Sequence, residues 1–370
     1  MAILAIRVLR LTMVFATMFS AGLAGAKDCA RMDMMTDPMG KAPGAPGLAV
    51  AIASYRGRPL EDLRAEFAEY ARLGILWLRT DLYWADVQAD GRGRFDWSEF
   101  DRIVDLAAEQ GIRVLPVAGT TPDWAAQDAE GPSTPADPAD FAAFMTAAAK
   151  RYGPRGIHVW EIWNEPNLAG PWPPHPDPEA YAKLLIAAHG AIKAADPEAL
   201  VLMGGLAAAN WTGPPLDVQY VAASSFLDAV YDAGAGDAFD ALAFHPYSYP
   251  DPPDPGWRWN GWGMMSGPLR EIMARRGDGD KKIWITEFGA PTGAAGAISE
   301  TEQAEFLREG ARLAREADWA GPFLWYSYRD RGADPDIRED WFGIIGQDNR
   351  QKTAWNALRG AVNEFCMGSR

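Results

Sequence analysis

Short apolar runs alternate with segments of helical apolar spacing along the chain from about residue 47 onward. Runs of this length, bounded by polar and turn residues, are typical of buried strands, and the intervening spacing is typical of amphipathic helices. Eight runs are predicted as strands: 48–53, 75–80, 112–117, 158–163, 200–204, 241–245, 282–287 and 323–328. Helices are predicted to start near residues 60, 98, 137, 177, 217, 266, 299 and 352.

This alternation predicts an α/β fold, a single-domain (β/α)8 TIM barrel over residues 47–365. Ser299 with Glu302 forms a capping box, and Pro178 after Asp177 places proline in the first turn of a helix. The alternative architecture is a doubly wound open sheet. Such a sheet usually carries a glycine-rich phosphate turn after its first strand, but residues 54–59 read S-Y-R-G-R-P.

Composition limits the possible partners. The 370 residues are 48% hydrophobic, which is enough for a sizeable core, and 35 basic against 50 acidic residues give a net charge of −15. Nucleic acid is therefore not an expected partner, because phosphate binding needs a basic surface. The chain also has 16 tryptophans, and an indole surplus in loops fits a carbohydrate groove, although most are expected in the core.

The N-terminus resembles an export signal. Arg7 and Arg10 precede an apolar run over residues 11–23, and small residues follow at 24–26. We expect a signal peptide over residues 1–26, an N-terminal extension over 27–46, and a periplasmic or secreted protein without a membrane span after cleavage. An uncleaved membrane anchor is the alternative.

The only two cysteines lie near the two ends of the chain. Cys29 and Cys366 could pair in an exported protein, and two free thiols are the alternative. The cysteine and histidine spacings match no metal-ligand pattern, so neither a metal nor a cofactor is expected.

Two acidic residues follow apolar strands. Residues 160–167 read W-E-I-W-N-E-P-N, so that Glu165 lies just beyond the fourth strand, and residues 283–289 read I-W-I-T-E-F-G, so that Glu287 closes the seventh. The active site of a (β/α)8 barrel lies at the carboxyl ends of its strands. A pair of acids placed there is what cleavage of a glycosidic bond requires.

These two segments, with G-G-L at 204–206 and H-P-Y at 245–247, resemble clan A glycoside hydrolases. Over residues 47–365 the resemblance is closest to glycoside hydrolase family 39 and related bacterial exopolysaccharide-cleaving endoglycosidases. Many cellulase-type members of the clan have a histidine after the third strand. Here residues 117–124 read V-A-G-T-T-P-D-W, which favours the family 39 relatives.

The resemblance implies roles for individual residues. Glu165 would be the general acid/base, with a raised pKa, and Glu287 the nucleophile of a retaining mechanism. Asn164 would bind the sugar 2-hydroxyl, and Tyr247 would hydrogen-bond Glu287. The other residues expected at the substrate are Arg79, Trp124, His245 and Trp325, of which Trp325 would floor the subsite for the cleaved sugar. Arg79 at the end of the second strand could orient Glu287 electrostatically, and a barrel salt bridge is the alternative.

The long segment 248–266 after the sixth strand contains four prolines and three tryptophans. Long loops in compact domains tend to be functional, so Trp257 and Trp259 are predicted to contact substrate. A hydrophobic flap packed on the barrel is the alternative. Three weaker candidates in other loops are Trp172, Asn210 and Trp211.

The sequence therefore predicts a retaining glycoside hydrolase that cuts a polysaccharide or oligosaccharide by double displacement, with endo action favoured by the loop aromatics. Two alternatives stay open: an exo-acting β-xylosidase-like enzyme, and a non-catalytic carbohydrate-binding barrel. Glu161, inside the fourth strand, is expected to be a buried structural acid with a partner.

Overall fold

Eight parallel strands close into a barrel in the order β1 to β8, and β8 pairs back to β1. The structure is a computed structural model that describes residues 41–128, 133–209 and 220–368. The strands are β1 Pro46–Ala49, β2 Trp77–Tyr83, β3 Arg113–Gly119, β4 Val159–Asn164, β5 Leu200–Ala207, β6 Ala241–His245, β7 Ile283–Phe288 and β8 Ala320–Tyr326. The predicted (β/α)8 barrel is confirmed.

Helices connect the strands on the outside of the barrel. In the described residues they are α1 Leu60–Leu73, α2 Trp84–Val87, α3 Ser98–Gln110, α4 Pro138–Tyr152, α5 Pro178–Ala195, α6 Ala223–Asp232, α7 Gly261–Met264, α8 Arg270–Arg275, α9 Glu300–Glu316 and α10 Thr353–Gly368. The predicted capping box forms at α9, where Ser299 Oγ accepts from the Glu302 N–H at 3.2 Å. Asp177 caps α5 in the same way, accepting from two N–H groups at 3.0 Å.

Several predictions fall on residues outside the described ranges. These are the signal peptide, Cys29, the helix start near residue 217, Asn210 and Trp211. Pairing of Cys29 with Cys366, which lies in α10, therefore stays a prediction. No helix in the described part of the chain has the length and apolarity to cross a membrane.

Two apolar layers result from the alternation of side chains along each strand. One layer fills the barrel itself and includes Trp77, Leu115, Leu202 and Trp284. The other lies between the barrel and its helices, where side chains such as Trp160 are buried. Position within a strand therefore decides whether a side chain points into the barrel or toward the helices.

That alternation is broken on the two strands that carry the acids. On β4, Ile162 and Trp163 both pack in the outer layer, and Trp163 has φ 71°, so that Asn164 turns to the inside. On β7, the register with β8 shifts between Ile285 and Phe288. The two residues between them, Thr286 and Glu287, consequently both face inward.

Candidate active site

A cavity of about 400 Å³ opens at the carboxyl ends of the strands, where a (β/α)8 barrel places its active site. Its size is within the range of small-ligand pockets. The lining side chains come from strand ends and from the loops after β1, β4, β6 and β8. They are Val50, Ala51, Arg79, Thr80, Asp81, Tyr83, Asn164, Glu165, Leu168, Tyr247, Tyr249, Glu287, Tyr326, Arg338, Glu339 and Phe342.

The two predicted acids lie in this cavity and close to one another. Their side chains are 20% and 15% exposed, so both can reach a ligand. His245 Nδ1 lies 3.0 Å from Glu165 Oε1 and 3.8 Å from Glu287 Oε2, which limits the separation of these oxygens to at most about 6.8 Å. Retaining glycosidases hold their carboxyl groups about 5–5.5 Å apart and inverting ones about 6.5–9.5 Å. The limit includes the retaining separation and leaves only the lower end of the inverting range.

Glu165 is held by the backbone of β5. Its N–H donates to the Gly205 carbonyl at 3.0 Å, and its φ of 42° lies in the left-handed region. Gly205 also permits close packing, because a Cβ there would lie 2.2 Å from His245 Nε2. Gly204 thus lets β5 approach the backbone of β4, where a Cβ would lie 2.3 Å from the Ile162 carbonyl oxygen, and Gly205 lets it approach the histidine.

Arg79 on β2 links the acidic and amide side chains at the bottom of the cavity. It is 4% exposed and donates from Nε and Nη2 to both oxygens of Glu161 at 2.8 Å, and from Nη2 to Asn164 Oδ1 at 2.8 Å. It also donates from Nη1 to Glu287. Burial alone would lower the pKa of Arg79, but Glu161 and Glu287 raise it, so the guanidinium stays charged.

Glu161 is the buried structural acid that the sequence predicts. It is fully buried and, besides its two bonds from Arg79, accepts from the Gly205 N–H at 3.0 Å. Its position fixes the orientation of Arg79, and through Arg79 that of Glu287.

Glu287 is stabilised as a carboxylate. Burial opposes this, but His245 and Arg79 lower the pKa of Glu287 below its ordinary value, with further support from the hydroxyl of Tyr247, which donates to Oε2 at 2.9 Å. His245 is itself fully buried, and its Nε2 lies 3.1 Å from Thr286 Oγ1. The predicted contact between Tyr247 and Glu287 is present in the structure.

Several tryptophans lie elsewhere than expected. Trp325 was expected to floor a subsite, but regular alternation on β8 turns it toward the helices, where it is fully buried beside Phe288, and its neighbour Tyr326 lines the cavity instead. This expectation is corrected. Trp124 is partly buried and packs edge-on against Trp84 at 5.6 Å, outside the cavity lining.

The tryptophans in the loop after β6 differ in their exposure. Trp262 is buried against Phe288 in the core, as the flap alternative describes. Trp257 and Trp259 are 47% and 56% exposed, and neither lines the cavity. Trp172 is buried beside Trp163.

Sequence reasoning missed several cavity residues. Asp81 and Tyr83 follow Arg79 at alternate positions of β2, so the period of two could have found them. Asp81 Oδ2 accepts from the Ile52 N–H at 3.0 Å, and burial raises the pKa of this carboxyl. The two remaining charged residues, Arg338 and Glu339, lie in the loop after β8, where no pattern marks them.

A closed (β/α)8 barrel with acids beyond β4 and within β7 defines a clan A glycoside hydrolase, as the sequence predicts. More particularly, the chain belongs to the cellulase family, glycosyl hydrolase family 5, whose model matches residues 51–326. The missing histidine after β3 therefore does not exclude the cellulase family. Membership of this family indicates a glycosidase. No curated protein matches the chain significantly in sequence.

Solved structures of three glycoside hydrolases share the fold. A family 39 glycoside hydrolase from Bacteroides cellulosilyticus WH2 is 24% identical, with a TM-score of 0.70 over 88% of this chain and 64% of that chain. GH5_18 from Streptomyces cattleya is 20% identical, with a TM-score of 0.63 over 88% and 81%. A monomeric beta-xylosidase from Caulobacter crescentus CB15 is 20% identical, with a TM-score of 0.62 over 86% and 68%. The chain thus spans under two thirds of the length of the Bacteroides protein.

Proposed function

We propose that the protein is a retaining glycosidase that hydrolyses an uncharged polysaccharide or oligosaccharide by double displacement. The observation that carries the proposal is the contrast between the two acids within one cavity. Glu287 receives hydrogen bonds from Arg79 and Tyr247 that favour its ionised form, whereas Glu165 contacts His245. An ionised nucleophile beside a second carboxyl group is the arrangement that double displacement requires.

In the first step Glu287 attacks the anomeric carbon and Glu165 protonates the departing glycosidic oxygen. A covalent glycosyl-enzyme forms, and the aglycone leaves as an alcohol. In the second step Glu165, now ionised, takes a proton from water, which attacks the same carbon from the opposite face and releases Glu287. The second inversion restores the original anomeric configuration.

Asn164 and Arg79 prepare the site for the sugar ring. The amide oxygen of Asn164 accepts from Arg79, so its NH2 group is the donor that can meet a sugar hydroxyl next to the nucleophile. A hydrogen bond to the 2-hydroxyl strengthens in the oxocarbenium-like transition state and so contributes to catalysis. We propose endo action, with Tyr83 and Tyr249 on the cavity wall as surfaces for neighbouring sugar rings.

The test is a panel of polysaccharides and aryl glycosides, scored for product length and for product anomer by NMR. Glu287→Ala and Glu165→Ala should each lower kcat by roughly 10³-fold or more on a substrate with a poor leaving group, without loss of folding. Glu316→Gln, on the exposed surface of α9, is the control and should keep full activity. A 2-fluoro sugar with a good leaving group should label Glu287.

Two results would refute the proposal. Inverted product anomers would exclude double displacement, and near-normal turnover in either alanine variant would remove that residue from the chemistry. If only monosaccharides are released from chain ends, exo action replaces endo action while the retaining assignment stands.

We also propose, from the N-terminal sequence, that the protein is exported to the periplasm or beyond. Expression of the full chain in a Gram-negative host, followed by mass spectrometry of the product, should show loss of residues 1–26 and pairing of Cys29 with Cys366. An intact N-terminus on cytoplasmic protein would contradict export.

A further inference from the structure

The loop between β6 and α7 presents an exposed pair of indoles. Residues 254–259 are all exposed, and within the described residues Trp257 and Trp259 are the two tryptophans that are exposed rather than buried or half-buried. Single exposed apolar side chains are ordinary, but two large aromatic ones within three residues form a patch that usually marks a binding surface. Neither indole is among the residues that line the catalytic cavity.

The backbone of the loop that carries the indoles is braced before any ligand arrives. Asn260 is 3% exposed; its Oδ1 accepts from the N–H groups of Asp254 and Trp262 at 3.2 and 3.1 Å, and its Nδ2 donates to the Pro252 carbonyl at 3.0 Å. Asp254 Oδ1 in turn accepts from the Trp257 N–H at 3.2 Å. A fixed loop has already lost much of the conformational entropy that ordering would otherwise cost on binding.

The backbone beneath the patch is also tightly packed. A Cβ at Gly263 would lie 2.0 Å from the Trp257 carbonyl oxygen, and a Cβ at Gly261 would lie 2.5 Å from the Pro246 carbonyl. The start of α7 therefore supports the loop from below, and the exposure of the indoles belongs to a well-packed segment.

The charge between the two indoles is neutralised within the protein. Arg258 donates from Nη1 and Nη2 to the two oxygens of Glu271, both at 3.0 Å. With Arg258 paired, the remaining charge in residues 254–259 is that of the acidic Asp254, so the surface offered to a ligand is aromatic and not basic. It suits the apolar C–H face of an uncharged pyranose, which stacks on indole, better than a charged polymer.

The patch is continuous in sequence with the cavity wall. Tyr247 and Tyr249 line the cavity at the start of the same connection, and Trp257 follows Tyr249 by eight residues. Because this connection leaves β6 at the same end of the barrel as the cavity, a long sugar chain could reach the loop, whereas a short substrate would occupy the cavity alone.

We propose that Trp257 and Trp259 form a second carbohydrate-binding site, outside the catalytic cavity, which holds an uncharged polysaccharide chain by stacking on its sugar rings. The inference rests on the proposed glycosidase function and adds to it a preference for long chains.

The test compares the wild type with Trp257→Ala/Trp259→Ala and with a control, Ile186→Ala. Ile186 is 44% exposed on α5, so its variant removes a similarly exposed apolar side chain elsewhere. Kinetics are measured on the polysaccharide that the wild type cuts best and on a short aryl glycoside. Binding is measured separately by affinity electrophoresis in gels that contain neutral β-glucan, mannan or xylan.

We expect the double variant to raise KM for the polymer about tenfold, with kcat and the aryl glycoside kinetics unchanged. Its retardation in a polymer gel should be lost, while Ile186→Ala behaves as the wild type in every assay. A tenfold rise confined to the long substrate would separate this site from the cavity.

Three results would overturn the inference. These are an unchanged KM and retardation in the double variant, a parallel loss of activity on the short substrate, and a change of oligomeric state by light scattering, which would make the patch an interface between copies of this chain. If the wild type cuts no glycoside, the proposed function fails, but retardation that depends on the two indoles would still support the binding site.

Discussion

Tyr247→Phe tests how the protein keeps Glu287 ionised. The substitution removes one hydroxyl, which donates to Glu287 Oε2 at 2.9 Å inside the cavity. The ring contacts with Tyr249 and Phe342, both at centroid distances of 6.0 Å, are retained in phenylalanine. The change therefore isolates one hydrogen bond to the nucleophile.

The size of the effect follows from the charge of the acceptor. A hydrogen bond to an ionised group contributes about 1.5–3 kcal/mol, and one pKa unit corresponds to about 1.4 kcal/mol. Because the bond favours the ionised form, its loss should raise the pKa of Glu287 by about 1–2 units. His245 and Arg79 still act on the carboxylate in the variant, so part of the lowering of its pKa is retained.

The measurement is the pH dependence of kcat/KM, which reports the ionisation of the free enzyme. A nucleophile must be ionised to attack, so activity is lost as the pH falls through the pKa of Glu287. The acid limb of the Tyr247→Phe profile should move to higher pH by about 1–2 units, with a smaller loss on the plateau. Tyr249→Phe is the matched control, because Tyr249 lines the same cavity, and its acid limb should stay in place.

An acid limb at the wild-type position in Tyr247→Phe would refute the reasoning. It would mean either that Glu287 does not control this limb or that the hydroxyl does not support its charge. Equal shifts in the two variants would point to a general change of the cavity and would refute it as well.

Two further predictions concern packing and stability. Gly205→Ala should lower kcat/KM by about tenfold or more, because the new Cβ would displace His245. Gly190→Ala on α5 is the control, because no atom lies within 4 Å of its Cβ. It should leave activity intact and raise the free energy of unfolding in urea by about 1 kcal/mol. Equal activity in both variants would contradict the role given to His245. Glu66→Gln should lower the free energy of unfolding by about 3 kcal/mol at neutral pH, because buried Glu66 pairs with the guanidinium groups of Arg58 and Arg329 at 2.9 and 3.0 Å. Burial opposes ionisation, but hydrogen bonds lower the pKa of Glu66. Its contribution to stability is therefore present above its unfolded pKa and is lost as the pH falls through the folded pKa. A loss of stability in the variant that persists at low pH would contradict this account.

The fold and the placement of both acids could be predicted from the sequence because each rests on local pattern. Alternating apolar runs and helical spacing define the barrel, and the barrel alone brings Glu165 and Glu287 to one end. The contacts of Arg79 with Glu161 and Asn164 could not be predicted in the same way, because they join β2 to β4 across more than 80 residues.

The error at Trp325 has a definite physical source. Simple alternation along β8 places Trp325 outward and Tyr326 inward, as observed, so the period of two would have predicted both orientations. On β4 and β7 the same rule would have failed, because positive φ at Trp163 and the register shift around Glu287 interrupt it. The acids occur where the strand period breaks down.

The left-handed backbone at Trp163 and Glu165 has a cost in every molecule, with or without substrate. A non-glycine residue in that region costs of order 1–3 kcal/mol, and glycine would remove much of this cost. At Trp163 the buried packing of the indole beside Trp172 offsets this cost, whereas Glu165 is partly exposed. Selection for folding alone would therefore favour glycine at position 165, and selection for turnover retains the acid. A lineage freed from catalysis should lose its acid before its barrel, and the stability so released would allow its loops to diverge.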